Sequence, residues 1–103
     1  MDPEVKPLRI LVLTRSTHFH QNGIFENHVK TLYEGLEKKG HFITILTTAH
    51  PSGIKTIKDK RIKWIFLEQT PKGIYSKPWA KRSAAYYSTY LKDEIFDLVH
   101  CQS

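Results

Sequence analysis

Asn22-Gly23 stands between an apolar run and an amphipathic segment, and its residue types suit anion binding. Glycine lets the backbone approach a ligand closely and adopt positive φ, and asparagine also tolerates the left-handed region. At the amino end of a helix, where N–H groups lack partners within the helix, such a pair builds a small anion nest. An ordinary turn with Asn22 as helix cap is the plainer reading of the same dipeptide. Histidines form the second constellation. His18 and His20 alternate on the loop before Asn22, and His100 ends the last apolar run. Their spacing matches no zinc signature, and one cysteine supplies no thiolate pair, so no metal is expected. Ser16 and Ser103 lack a G-x-S-x-G turn, and no carboxylate pair stands in the loops. Neither a dinucleotide fingerprint nor a P-loop is present, so no bound cofactor is expected.

The elements that must position these residues follow from apolar patterning. Ile10-Leu11-Val12-Leu13 is continuous rather than alternating, as in strands buried on both faces of a parallel sheet. Phe25, Val29, Leu32 and Leu36 recur at helical spacing, with Tyr33 widening the stripe. Lys38-Lys39-Gly40 suits a helix end, so the pattern predicts a helix over 24–39. His41 to Thr48 is a second strand, and a crossover helix makes it parallel to the first. Pro51-Ser52-Gly53 breaks the chain, and the basic stretch 55–63 is too mixed to assign. Ile62 to Leu67 is a third strand. Pro71 and Gly73 mark a loop. Ser76 can cap a second helix over 77–92, with Trp79, Ser83, Tyr86 and Tyr90 on one face. Phe96 to Cys101 is a fourth strand.

The expected fold is therefore α/β, a parallel Rossmann-like sheet in the sequence β-α-β-β-α-β with strand order 3-2-1-4 and helices on both faces. Residues 1–7 form a short arm, and 8–103 form the domain. Ligands in such sheets gather beyond the carboxyl ends of the strands, here Thr14 to Gly23 and His100 to Ser103.

The chain has 103 residues, 40% of them hydrophobic, and a net charge of +6, which supports one core and argues against disorder. No apolar run approaches the ~20 residues of a membrane span, and the Pro-rich start is not a signal peptide. A single cysteine, Cys101, favours a reducing, cytoplasmic setting. Lys55, Lys58, Lys60, Arg61 and Lys63 stand against Asp59, and Lys72, Lys77, Lys81 and Arg82 form a second basic group. Such patches attract anionic lipid, nucleic acid or anionic substrates, or simply keep a surface solvated. No nucleic-acid motif is present, and nucleic acid is not expected as a partner.

Ile10-Leu11-Val12-Leu13, then Asn22-Gly23-Ile24-Phe25-Glu26-Asn27-His28-Val29, then Leu32, Leu36, Gly40-His41 and the strand to Leu46, resemble the N-terminal domain of retaining GT-B glycosyltransferases, most nearly glycosyltransferase family four. Phe96 to Ser103 resembles that family's Asp-Val-Val-His-x-His-Ser strand end, with Gln102 in place of the second histidine. Asn22-Gly23 stands where the family has paired glycines. The resemblance implies the acceptor-side part of an enzyme that transfers a sugar from a nucleotide-sugar donor, without a metal, to an acceptor of lipid or cell-wall type. The donor-holding second domain is absent from this sequence, so no transfer is expected from the chain alone. By the same resemblance, Asn22 and Gly23 would contact donor phosphates or acceptor. His100 and Ser103 would line the cleft, and Arg15 and His20 would meet an anionic acceptor. The basic surfaces would lie against the inner face of an anionic membrane. A stand-alone Rossmann-type module for a nucleotide or other anion is the alternative. In either case the last strand is expected at an exposed apolar edge, where a second copy of the chain can pair.

Overall fold

A computed structural model describes residues 6–102. Ser103 and residues 1–5 of the expected arm lie outside the described residues. The elements run β1 (Arg9–Thr14), α1 (Ile24–Lys38), β2 (Phe42–Thr47), β3 (Thr56–Asp59), β4 (Ile62–Phe66), α2 (Lys77–Tyr86), a π-helical turn (Tyr87–Leu91) and β5 (Leu98–Gln102). They build one five-stranded sheet in the order β3-β4-β2-β1-β5.

This corrects the expected strand order and the all-parallel sheet. The pairings β4–β2, β2–β1 and β1–β5 are parallel, but the basic stretch adds β3 as an antiparallel outer strand. Lys60 and Arg61 form a two-residue hairpin loop between the paired Asp59 and Ile62. Lys60 takes φ 56°, a conformation such tight turns need and lysine seldom supplies. Only Ile57 of β3 packs against the core, so no apolar alternation marked the strand.

Helices cover both faces. Along β1, Ile10 and Val12 point to one side and Leu11 to the other. Val29 and Tyr33 of α1 close the first side over Ile43, Ile45, Ile62, Trp64 and Phe66, with Phe25, Leu32 and Leu36 partly buried beside them. Trp79 and Leu91 close the second side over Leu11, Leu46, Ile65 and Leu67.

The end of α1 is fixed locally. Gly40, at φ 98°, donates to Glu37 O at 2.8 Å, and His41 donates to Leu36 O at 3.2 Å, the double bond pattern of a Schellman cap. At the start of α2, Ser76 Oγ accepts from Trp79 N–H at 3.1 Å and Pro78 lies in the first turn. The second helix departs from expectation after Tyr86. A π turn adds one residue to the repeat, which rotates later residues backward about the axis. Leu91 enters the core in register with Trp79, while Tyr90, expected on the buried face, is 67% exposed.

β5 lies at the sheet edge with Leu98 53% and Val99 59% exposed. No helix of the described residues is long and apolar enough to cross a membrane.

Candidate functional site

Three loops meet beyond the carboxyl ends of β1, β2 and β4, and side chains tie them together. Thr48, after β2, donates through Oγ1 to Arg15 O at 2.6 Å and accepts from Gly73 N–H at 2.7 Å. Arg15 returns the contact, donating from Nη1 to Gly73 O at 3.0 Å while its guanidinium lies 5.2 Å from the centre of the Phe25 ring. Gly73 has φ 73°, and a Cβ there would meet Ser16 Oγ at 3.5 Å and His20 Cβ at 3.7 Å, so the turn passes close over the β1 loop.

His20 locks the same junction. Its Nδ1 accepts from Thr17 N–H at 2.9 Å, which places the ring proton on Nε2. Nε2–H then faces the carbonyls of Thr48 and Ala49, each at 3.1 Å. Both nitrogens are engaged, so His20 clamps loops. His18, Phe19, His50, Trp64 and Phe66 extend the cluster below it. His18 lies 4.1 Å from Phe19 and 5.2 Å from Trp64, and His50 lies 4.9 Å from Phe66 by ring centroids.

Burial lowers the pKa of both His18 and His20 below the ordinary imidazole value. Lys30 and His20 add to this at His18 against the opposing pull of Glu34. At His20 the carbonyls of Thr48 and Ala49 oppose it, while His50 reinforces it. A histidine held neutral by the fold protonates first in the unfolded chain. Its contribution is complete above pH ~6.5 and is lost as pH falls from there toward the folded value. Stability measured by urea unfolding is therefore expected to drop between pH 7 and pH 5, and His18→Phe is expected to reduce the drop. An unchanged midpoint over that range would show that neither ring is held neutral by the fold.

The amino end of α1 differs from the expected anion nest. Gly23 is the N-cap with φ −102° and ψ 176°, ordinary extended backbone rather than positive φ, and Asn22 makes no capping bond. Asn22 is exposed and accepts from Asn27 Nδ2 at 3.3 Å. The anion at this helix end is the chain's own. Glu26, three residues after the cap, is 3% exposed. Its Oε2 accepts from Ser16 Oγ and from Gln21 Nε2, both at 2.8 Å. Burial pushes this carboxyl up, but the Gln21 and Ser16 donors, its own backbone N–H and nearby Arg15 outweigh burial and hold it below the usual glutamate value. A Cβ on Gly23 would collide with Oε1 of Glu26, so glycine leaves room for the carboxylate.

His100 does not join this group. It pairs with Val12 in mid-strand, two residues before the end of β5. Its Nδ1 lies 2.9 Å from Tyr33 Oη, which also accepts from Gln102 Nε2 at 3.3 Å. Tyr33 follows Gly23 by ten residues, about 15 Å of helix rise, so His100 addresses the middle of α1. Burial raises the Tyr33 pKa. Of the expected site residues, Arg15 and His20 thus come together with Gly23 through Ser16, Glu26 and Gly73. Asn22 lies at the rim, His100 lies apart, and Ser103 is outside the described residues.

Glu26 and Thr48 belong to this candidate site, and Tyr33 to the separate His100 contact, without the sequence singling them out. A glutamate three residues past a cap is a recognised signal for a carboxylate folding back on a helix end. No comparable signal marked Thr48 or Tyr33, whose partners are set by sheet register. Among the described residues no group of three His, Cys, Asp or Glu side chains gathers as a metal would need. Comparison of the chain with protein-family models, curated proteins and solved structures finds no match.

Proposed function

We propose that this chain is the acceptor-side part of a retaining glycosyltransferase, which moves a sugar from a nucleotide-sugar donor to an acceptor and does not act without a donor-holding domain. One observation carries the reading. A parallel β1-α1-β2 unit presents a rigid wall at the carboxyl end of its sheet, built from Arg15, His20, Thr48 and Gly73. Such a wall can orient an acceptor. Alone it cannot hold donor and acceptor together or stabilise the departing diphosphate. Glu26 weighs against the alternative of a stand-alone phosphate or nucleotide module, because its carboxylate occupies the helix end a phosphate would use. The resemblance to family four, from Ile10 to Leu46 and again over Phe96 to Ser103, supplies the reaction class. The basic hairpin 55–63 belongs to the same reading as a surface for the inner face of an anionic membrane.

The test is a titration of the isotopically labelled chain with a nucleoside-diphosphate sugar, followed by amide NMR and by a transfer assay. At residues 22–26 the expected result is no more than millimolar affinity, with no transfer. Sugar transfer at ordinary enzyme rates by these 103 residues, or micromolar binding centred on Gly23, overturns the reading.

Self-association through β5 accompanies it. Among the described residues β5 is the unpaired edge, and its exposed Leu98 and Val99 are a template for a second copy. Sedimentation at millimolar concentration is expected to show a dimer, and Val99→Lys is expected to return the monomer. A sedimentation coefficient that stays monomeric throughout would remove this edge as an interface.

A further inference from the structure

On the α2 side of the sheet lies a cleft that includes none of Arg15, His20, Thr48 and Gly73. Its volume is about 480 Å³, within the range of small-molecule sites. Lys55, Glu68, Arg82, Tyr86 and Tyr90 line it.

Its cations are poised for an anion. Arg82 is anchored through Nε to Glu68 O at 3.2 Å and enters no ion pair among the described residues, so its two terminal amino groups remain for a ligand. Lys55 Nζ stands 3.5 Å from the Glu68 carboxylate, with side chains 77% and 55% exposed. A pair so exposed contributes little and yields readily to a stronger anion. Further along the same face, Lys58 and Lys63 are directly opposite each other across β3 and β4. They follow the cleft-floor pair Thr56–Ile65 by two positions, about 7 Å. Like charges directly opposite destabilise a sheet, and neither lysine has an acidic partner among the described residues.

Its rings suit a planar group. Tyr86 and Tyr90 stand 4.8 Å apart by ring centroids with 43° between their planes. The π turn carries Tyr90 out of the core and onto the cleft wall, at the expense of regular helix geometry, and such turns concentrate at binding sites. Removing that one-residue offset would bury Tyr90 and take the ring away.

The geometry points to a second ligand site, on the α2 face, for a nucleoside phosphate: Arg82 and Lys55 hold the phosphate, Lys58 and Lys63 reinforce the field, and the base lies on the Tyr86–Tyr90 pair. A free inorganic phosphate would satisfy the cations alone, and a phosphosugar would leave the rings unused.

Amide NMR of the 103-residue chain, titrated separately with UMP, ribose 5-phosphate and inorganic phosphate, tests this. UMP is expected to perturb residues 55, 82 and 90 and to bind about tenfold more tightly than ribose 5-phosphate. Arg82→Gln is expected to weaken UMP binding about tenfold. Tyr90→Ala is expected to bring UMP down to the level of ribose 5-phosphate. Both side chains are exposed, so the variants keep the core. Equal affinity for all three probes, or no perturbation of the cleft at several millimolar UMP, overturns the proposal. Affinity that climbs steeply with oligonucleotide length and collapses with salt overturns it in favour of single-stranded nucleic acid. Perturbation confined to residues 22–26 also overturns it, and is separable from the cleft by position.

Discussion

Glu26→Ala is expected to destabilise the protein by about 2–3 kcal/mol in urea unfolding, since hydrogen bonds to a charged group contribute about 1.5–3 kcal/mol each. Ser16 Oγ, on a fully buried residue, loses its acceptor. The exposed Gln21 rehydrates and contributes less. The first turn of α1 also loses the negative charge that complements its dipole. The same variant is expected to gain something. With the carboxylate gone, inorganic phosphate should perturb the amides of residues 24–26 in the variant and leave those amides of the parent unaffected. Glu26→Gln keeps the volume and serves as control: it should lose stability through mismatched donors without gaining phosphate. A cost below about 0.5 kcal/mol, the range of ordinary surface changes, together with no gain of phosphate binding, would show that Glu26 is a bystander at the helix end.

Trp64→Ala is expected to have the larger effect on stability, about 3–5 kcal/mol, the usual range for deleting a buried large aromatic ring. Trp64 is 3% exposed in mid-β4 and meets His18 and Phe19 edge-on, both at 5.2 Å between ring centroids. It therefore supports the loop that leads to Gly23 as well as the core under α1. A second readout separates these roles. Loss of the ring admits water to His18, moves its pKa back up toward the ordinary value and shrinks the acid-side loss of stability. Trp79→Ala, on the opposite face over Leu11 and Ile65, should cost a comparable amount without altering the pH dependence. Identical pH profiles for the two variants would disconnect Trp64 from the histidine loop.

The crossover unit was legible because its signals are local and repeated. The stripe Phe25, Val29, Leu32, Leu36 and the Gly40 stop are consequences of helix geometry, and both appear in the structure. The two-sided burial of β1 likewise followed from its unbroken apolar run. β3 was not legible, since one inward Ile57 among charged residues gives no period, and its turn rests on a positive-φ lysine where glycine or asparagine is customary. The π turn was hidden for a different reason: one added residue changes the angular bookkeeping without changing composition, so Tyr90 and Leu91 exchange places. At the site, the glycine itself was legible but its backbone was not: Gly23 is extended, and its missing Cβ leaves room for the Glu26 carboxylate three positions later. Tyr33, His100 and Gln102 meet only because β5 docks beside β1 in one register, which nothing local announces.

The two flanks of the sheet are unequally defended. On one, the short antiparallel β3 carries the charges of Lys58 and Asp59 and runs into the Lys60-Arg61 turn, groups that discourage a further strand from pairing there. Among the described residues the other flank, β5, carries no comparable guard. A subunit with a single adhesive border can satisfy it only by meeting the same border of a twin around a two-fold axis. Propagation into a filament needs two sticky sides, so association of this molecule should terminate at the pair.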